Sequence, residues 1–202
     1  MKRALTGKLD AAVIVQLQCE IGKNCQKALK ELYGLFFSRL LNFALLYVGT
    51  KEVAEELVND VIVKVWNNRN TITRIHNLET YLFVAVRNHA FNYLAAYSNY
   101  HVTIESGENQ ARVINLNDPS KELEWKEISF ELEKAVDTLP DQCRTVFKLI
   151  REEGFRYKQV AEILNISPRT VETQLFRAIK KLDKVIQTYQ ANSGLKTGKT
   201  KL

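Results

Sequence analysis

YKQVAEILNISPRTVETQLFRAIKK, residues 157–181, decides the fold. Its first eight residues, Tyr157 to Leu164, have the spacing of one short amphipathic helix. Asn165-Ile166-Ser167 then predicts a tight turn, because Asn tolerates the left-handed backbone and Ser is a good helix N-cap. Pro168 comes next, and proline is favoured at the first position of a helix, where its missing N–H would have no partner anyway. The helix that starts there is expected to bury Val171, Leu175, Ala178/Ile179 and Leu182. Its other face carries Arg169, Thr170, Glu172, Thr173, Phe176, Arg177 and Lys180. Two short helices, a turn of this length and small Ala161 at the crossing predict a helix-turn-helix, its second helix sized for a DNA major groove.

The residue types on that outer face suit base reading. Arg169 can bond a guanine edge bidentately, and Glu172 can accept from a cytosine amine. Thr173 and Phe176 can touch a thymine methyl, while Arg177, Lys180 and Lys181 suit phosphates. A plain helical hairpin with a solvated charged face is the competing reading. Residues 154–202 hold ten basic against three acidic side chains, a charge of +7, beside 121–153 at −3. A basic C-terminal segment next to a mildly acidic one points to a nucleic-acid partner. Charge alone fits a basic tail equally well, but charge and turn together favour DNA.

Outward from this segment the chain stays helical. It has 202 residues, which suits one large or two small domains, and 46% of them are hydrophobic, which excludes a wholly disordered protein. Only 8 Gly and 3 Pro leave few breaks for a many-stranded fold, so the expected class is all-α. Between Cys25 and Val48 apolar residues recur in two rows, the mark of a central, buried helix. Thr50 offers an N-cap for a helix over 51–68, and residues 67–77 read as a polar loop. Helical spacing returns over 78–97, with Leu78, Leu82, Ala85/Val86, Ala90 and Tyr93/Leu94 facing inward. Residues 101–120 keep no period and read as a flexible linker of net charge −2. Helices resume near Lys121; Pro140 suits the first turn of a helix reaching about Glu153, which Gly154 ends. The expected architecture is two helical domains, 8–98 and 121–190, joined by a flexible linker over 99–120 and followed by a disordered tail over 191–202.

Other classes find little support. Cys19, Cys25 and Cys143 are an odd set with no CxxC pair, which suits a reducing cytoplasm and three buried small hydrophobes. The longest nearly apolar run, Leu40 to Val48, is far shorter than a membrane span, and Ala11–Val15 is too brief for a secretory signal. His76, His89 and His101 lack metal-ligand spacing, and there is no phosphate-cradling glycine loop or GxSxG turn. The expectation is therefore no enzyme, no metal, no cofactor and no small-molecule substrate.

Longer stretches carry a family likeness. Leu139-Pro140, Arg144, Phe147, Glu153-Gly154-Phe155, Tyr157, Val160-Ala161, Ile166-Ser167, Thr170-Val171, Leu175, Arg177-Ala178 and Leu182 resemble the promoter-reading C-terminal domain of bacterial sigma-70 factors of the extracytoplasmic-function (ECF) group. Upstream, Ala54-Glu55-Glu56-Leu57-Val58-Asn59-Asp60-Val61 with Lys64-Val65-Trp66 resembles that family's core-polymerase-binding helix. Asn77-Leu78-Glu79-Thr80-Tyr81-Leu82-Phe83-Val84-Ala85-Val86-Arg87-Asn88 resembles its −10 helix. The likeness spans residues 10–185 in the family's order.

The resemblance implies a sigma factor that binds RNA polymerase core and directs initiation at −10 and −35 elements. On the helix 51–68, an acidic face of Glu52, Glu55, Glu56, Asn59 and Asp60 surrounds an exposed Val63; by composition it is a solvated face with a stray valine, or a dock for a basic partner. The resemblance makes Glu56, Asn59, Asp60 and Val63 the contact with the polymerase β′ clamp, and adds the β flap as a second polymerase contact. On the helix 78–97, one side collects Thr80, Tyr81, Val84, Arg87, Asn88, Phe91 and Asn92, which can hold unstacked bases and phosphates, although core packing accounts for Phe91 equally well. By resemblance Tyr81, Val84, Arg87 and Asn88, with Arg69, Arg74 and Asn77 from the preceding loop, capture the −10 strand and a flipped base. Primary sigma factors carry an aromatic wedge where this chain has Val84-Ala85, implying weaker melting and stricter promoter choice. The linker either threads the polymerase cleft, as in the family, or is a plain tether. An anti-sigma partner, membrane-bound or free, is also implied. The rival is a dimeric helix-turn-helix regulator that acts without polymerase; a second is an adaptor that binds only protein.

Overall fold

The computed structural model describes residues 11–100 and 132–193. Among them every regular element is a helix: α1 (Ala11–Gly22), α2 (Gln26–Ala44), α3 (Lys51–Asn67), α4 (Arg69–Ile72), α5 (Leu78–Tyr100), α6 (residues 132–137), α7 (Asp141–Arg151), α8 (Tyr157–Leu164) and α9 (Pro168–Ser193). Residues 101–120 of the expected linker, the helix start near 121 and residues 194–202 of the expected tail lie outside the described residues. α9 continues to Ser193, through the first three residues of the expected tail.

The described residues group into two compact units, 11–100 with 158–166 and 132–157 with 167–193. In the first, α2 is central, packing against α1, α3 and α5. Its first apolar row supplies Leu32, Phe36, Leu40 and Phe43, all at most 2% exposed; of the second row, Phe37 and Leu41 are half-buried, while Leu45 and buried Val48 fall past the end of the helix. Full burial of side chains this size is worth about 1.5–3 kcal/mol each, so this helix organises the unit. α3 starts at Thr50, in extended geometry, whose hydroxyl accepts the Val53 N–H at 3.5 Å. Arg39 on α2 pairs with Glu79 in the first turn of α5 at 2.7 Å and lies over the rings of Phe36 and Phe83. α8 joins this unit, with Gln159 Nε2 donating to Thr80 Oγ1 at 3.1 Å.

Two elements here have no counterpart in the sequence expectations. α1 buries Ile14, Leu17 and Ile21, a helical spacing interrupted by polar Gln16, Gln18 and Glu20. It stops at Asn24, whose φ of 68° reverses the chain into α2. α4 is one turn of helix within the stretch expected to be loop, anchored by fully buried Ile72.

In the second unit, Ala135, Val136, Leu139, Cys143, Ala178 and Leu182 form one core, flanked by Phe147 and Val185. Pro140 is the N-cap residue of α7 rather than a residue of its first turn. Past the end of α7 the chain reverses at Gly154, with φ of 73°, and the Phe155 N–H reaches the Leu149 carbonyl at 3.0 Å. Glycine adopts that left-handed geometry without a Cβ penalty. One expectation for α9 fails: Ile179 is 40% exposed, whereas Ala178 is fully buried. Val171, Leu175, Ala178 and Leu182 step by four, three and four residues and centre the buried stripe, and Ile179 falls off its edge. The cysteines also divide, Cys143 being buried and Cys19 exposed, because the buried stripe of α1 runs through Gln18 instead.

Candidate nucleic-acid and partner interfaces

The turn before α9 has the geometry its residues dictate. Asn165 sits at φ 53°, and the Ile166 N–H donates to the Ala161 carbonyl at 3.0 Å. Ser167 Oγ accepts the Thr170 N–H at 3.0 Å and lies 2.8 Å from the Thr170 hydroxyl, capping the helix that Pro168 opens. From this fixed start Arg169, Glu172, Thr173, Phe176, Arg177 and Lys180 are all exposed, and Thr170 is half-buried. Phe176 is 66% exposed, a large apolar ring in water that core packing does not explain. The Thr173 hydroxyl donates back to the Arg169 carbonyl at 2.9 Å, so its methyl is the group left for contact. Lys181 Nζ instead reaches the Thr138 carbonyl at 2.5 Å, which ties α9 to the end of α6.

The −10 candidates share the α5 start and the segment before it. Asn77 Oδ1 accepts the Thr80 N–H at 3.0 Å, so Asn77 is the N-cap of α5. Arg69 donates to the Trp66 carbonyl at 3.0 Å and stacks 4.9 Å above the Trp66 ring, which holds it at the end of α3. Arg74 is exposed. Along α5, Tyr81, Val84 and Arg87 are half-buried and Asn88 is exposed. Arg87 bonds Asn88 Oδ1 at 3.4 Å and lies 5.1 Å over the ring of Phe91, itself 47% exposed. Thr80, expected on this outer stripe, is only 1% exposed and so faces inward with Leu82 and Phe83. Tyr47 sits against Phe91, ring centroids 5.5 Å apart; burial pushes its hydroxyl up to about 12, against the opposing pull of the Arg87 charge.

On α3, Glu56, Asn59, Asp60 and Val63 are all exposed, and Val63 at 55% stands out as an apolar side chain among acids. Asn59 Oδ1 accepts from the Tyr33 hydroxyl at 3.3 Å. A recess of about 250 Å³ lies beside this face, lined by Val53, Glu56, Leu57 and Asp60 of α3 and by His89, Asn92 and Tyr93 of α5. Sequence reasoning did not join these last three to the acidic face. The available signal was their i, i+3, i+4 spacing on a helix that had to cover α3. No group of three or more His, Cys, Asp or Glu side chains among the described residues is arranged to hold a metal ion. No helix among them is long and apolar enough to cross a membrane.

These three surfaces fall within two matched family regions. Residues 32–99 match Sigma-70 region 2, and residues 129–182 match Sigma-70, region 4. The "ECF RNA polymerase sigma-E factor" of Haemophilus influenzae is 26% identical over 189 residues, covering 88% of this chain and 95% of that one. The "ECF RNA polymerase sigma factor SigM" of Bacillus subtilis is 25% identical, over 75% of this chain and 91% of its own. Among solved structures, the sigma factor RpoE of Bartonella quintana, in complex with the anti-sigma factor NepR, aligns with a TM-score of 0.58 at 24% identity, over 78% of this chain and 96% of that one. CnrH, in complex with the cytosolic domain of CnrY, aligns at 0.57 and 16% identity, over 87% and 98%. These structural likenesses are likenesses of fold.

Proposed function

We infer, for a chain that belongs to the sigma-70 family and within it to the ECF group, the role of a specificity subunit that binds RNA polymerase core and starts transcription at chosen promoters. It is an initiation factor. The observation that carries this role is the presence of region 2 and region 4 on one chain, in that order. A free-standing helix-turn-helix regulator has no need of the first.

The division of labour rests on the residues. The exposed face of α9 reads the −35 element, with Arg169, Glu172, Thr173 and Phe176 at base edges and Arg177 and Lys180 at phosphates. Asn77, Tyr81, Val84, Arg87 and Asn88 hold the opened −10 strand, together with Arg69 and Arg74. Glu56, Asn59, Asp60 and Val63 dock on the polymerase clamp, where an apolar centre inside an acidic rim complements a basic surface. Two weak grips on one promoter reinforce each other through effective concentration, provided the segment between them spans the spacing. An anti-sigma partner that competes for these faces fits the same role; RpoE and CnrH are each seen with such a protein or with the cytosolic domain of their partner.

The test is transcription in vitro from purified bacterial core polymerase over a promoter library, with and without the full chain. Specific transcripts only in its presence are expected. Operator binding by a dimer without polymerase, or no initiation on any promoter, overturns the role.

A further inference from the structure

We propose that Gln18 on α1 is a positioning residue for −10 capture, holding the 68–77 segment in its binding shape before DNA arrives. This rests on the role of that segment inferred above. Gln18 is 6% exposed, in the middle of a helix whose other buried positions are apolar. Its side-chain amide donates to two carbonyls of the segment, Ile72 at 2.5 Å and Ile75 at 2.8 Å, 54 and 57 residues away in sequence. A glutamine amide has two N–H donors, and both are used here on the backbone that links α4 to α5.

The segment needs such support. α4 is four residues long, too short to satisfy its own terminal carbonyls. Beyond it the backbone makes tight turns, Arg74 N–H to the Thr71 carbonyl and Ile75 N–H to the Ile72 carbonyl, each at 3.0 Å. Gln18 therefore acts as a cap donated from a distant helix, closing the end of α4 and the turn leading to Asn77. A second feature of α1 fixes the same backbone independently. A Cβ built on Gly22 meets Thr73 Cγ2 at 2.9 Å, so any side chain there makes Thr73 move, while the Arg69 carbonyl at 3.6 Å is in ordinary contact. α1 is thus a template for the segment: Gly22 admits it and Gln18 bonds it. A preformed pocket spares the ordering cost that a floppy loop meets on binding a flipped base.

The experiment uses holoenzyme reconstituted from the full chain and bacterial core polymerase. The probe is a pool of fork-junction DNAs with randomised −10 and −35 segments, and the readout is base preference at each segment. Gln18→Met keeps length and apolar packing but donates nothing. It is expected to flatten the −10 preference by about tenfold while leaving the −35 preference within about twofold. Gly22→Ala, which raises helix propensity yet displaces Thr73, is expected to flatten the −10 preference to a smaller degree and guards against a Gln18 variant that fails to fold. Leu40→Ala weakens the same unit through α2 and is expected to lose occupancy without losing selectivity. An unchanged −10 profile in Gln18→Met, or an equal flattening in Leu40→Ala, overturns the proposal. A wild-type chain with no −10 preference at all would instead remove the parent role.

Discussion

Replacing Ser167 with alanine tests the helix-turn-helix at its weakest point. Ser167 Oγ is the acceptor for the Thr170 N–H at 3.0 Å, and Ser167 is exposed, so water replaces part of the lost bond. Cap deletions of this kind cost about 1 kcal/mol. For a unit of this size that corresponds to a fall in Tm of about 4–8 °C. The first turn of α9 carries Arg169 and Thr170, and re-forming it on DNA consumes the same free energy. Affinity for a −35 duplex should therefore fall by up to about fivefold. Ser167→Asp separates the two effects. Aspartate caps as well as serine and suits the positive end of the helix dipole, so stability should match wild type or exceed it. Its carboxylate, however, stands two residues from Arg169 at the end of the helix expected to meet DNA, where it competes with the guanine edge for Arg169 and repels the DNA's negative charge, so binding should fall further than in the alanine variant. Thermal unfolding by circular dichroism and fluorescence anisotropy of −35 duplexes with reconstituted holoenzyme read both quantities. Wild-type stability in the alanine variant would refute the cap, and wild-type DNA affinity in the aspartate variant would refute the approach of this helix start to DNA.

Other perturbations address single faces. Arg169→Ala is expected to weaken −35 binding by roughly 1–3 kcal/mol and to relax base preference at one position, read by competition among single-base promoter variants. Asp60→Lys, on an exposed site of α3, should abolish co-purification with core polymerase while leaving the circular dichroism spectrum unchanged. Glu152, at the end of α7, has its carboxyl pKa raised, first by burial, against which Lys148 pulls down, and further by Glu153, Glu133 and Asp137. A carboxyl whose folded-state pKa is raised favours folding most below its ordinary value, and that contribution is lost as pH rises to the raised one. Glu152→Gln should therefore stabilise the second unit at about pH 7 and change little at about pH 3, as urea denaturation at the two values would show.

Local chemistry explains why so much of α8 and α9 was legible in the residues. A left-handed Asn165, a capping Ser167, Pro168 at the first helical position and a 171, 175, 178, 182 stripe each act within a few residues, so the sequence determines them without help from the rest of the chain. The same holds for Gly154 and for the two apolar rows of α2. Periodicity, however, says which residues share a face and not where the neighbouring helix ends. Only tertiary structure decided that Ile179 and Phe91 reach solvent, that Thr80 turns inward, and that His89, Asn92 and Tyr93 share a recess with Glu56 and Asp60. α1 and α4 escaped detection for a related reason. A buried glutamine interrupts the apolar stripe of one, and the other is a single, mostly polar turn whose last carbonyl, that of buried Ile72, is bonded by Gln18 from more than fifty residues away. A hydrogen bond of that reach leaves no periodic trace in the residues it joins, because the packing of α1 against α4 has to bring donor and acceptor together first.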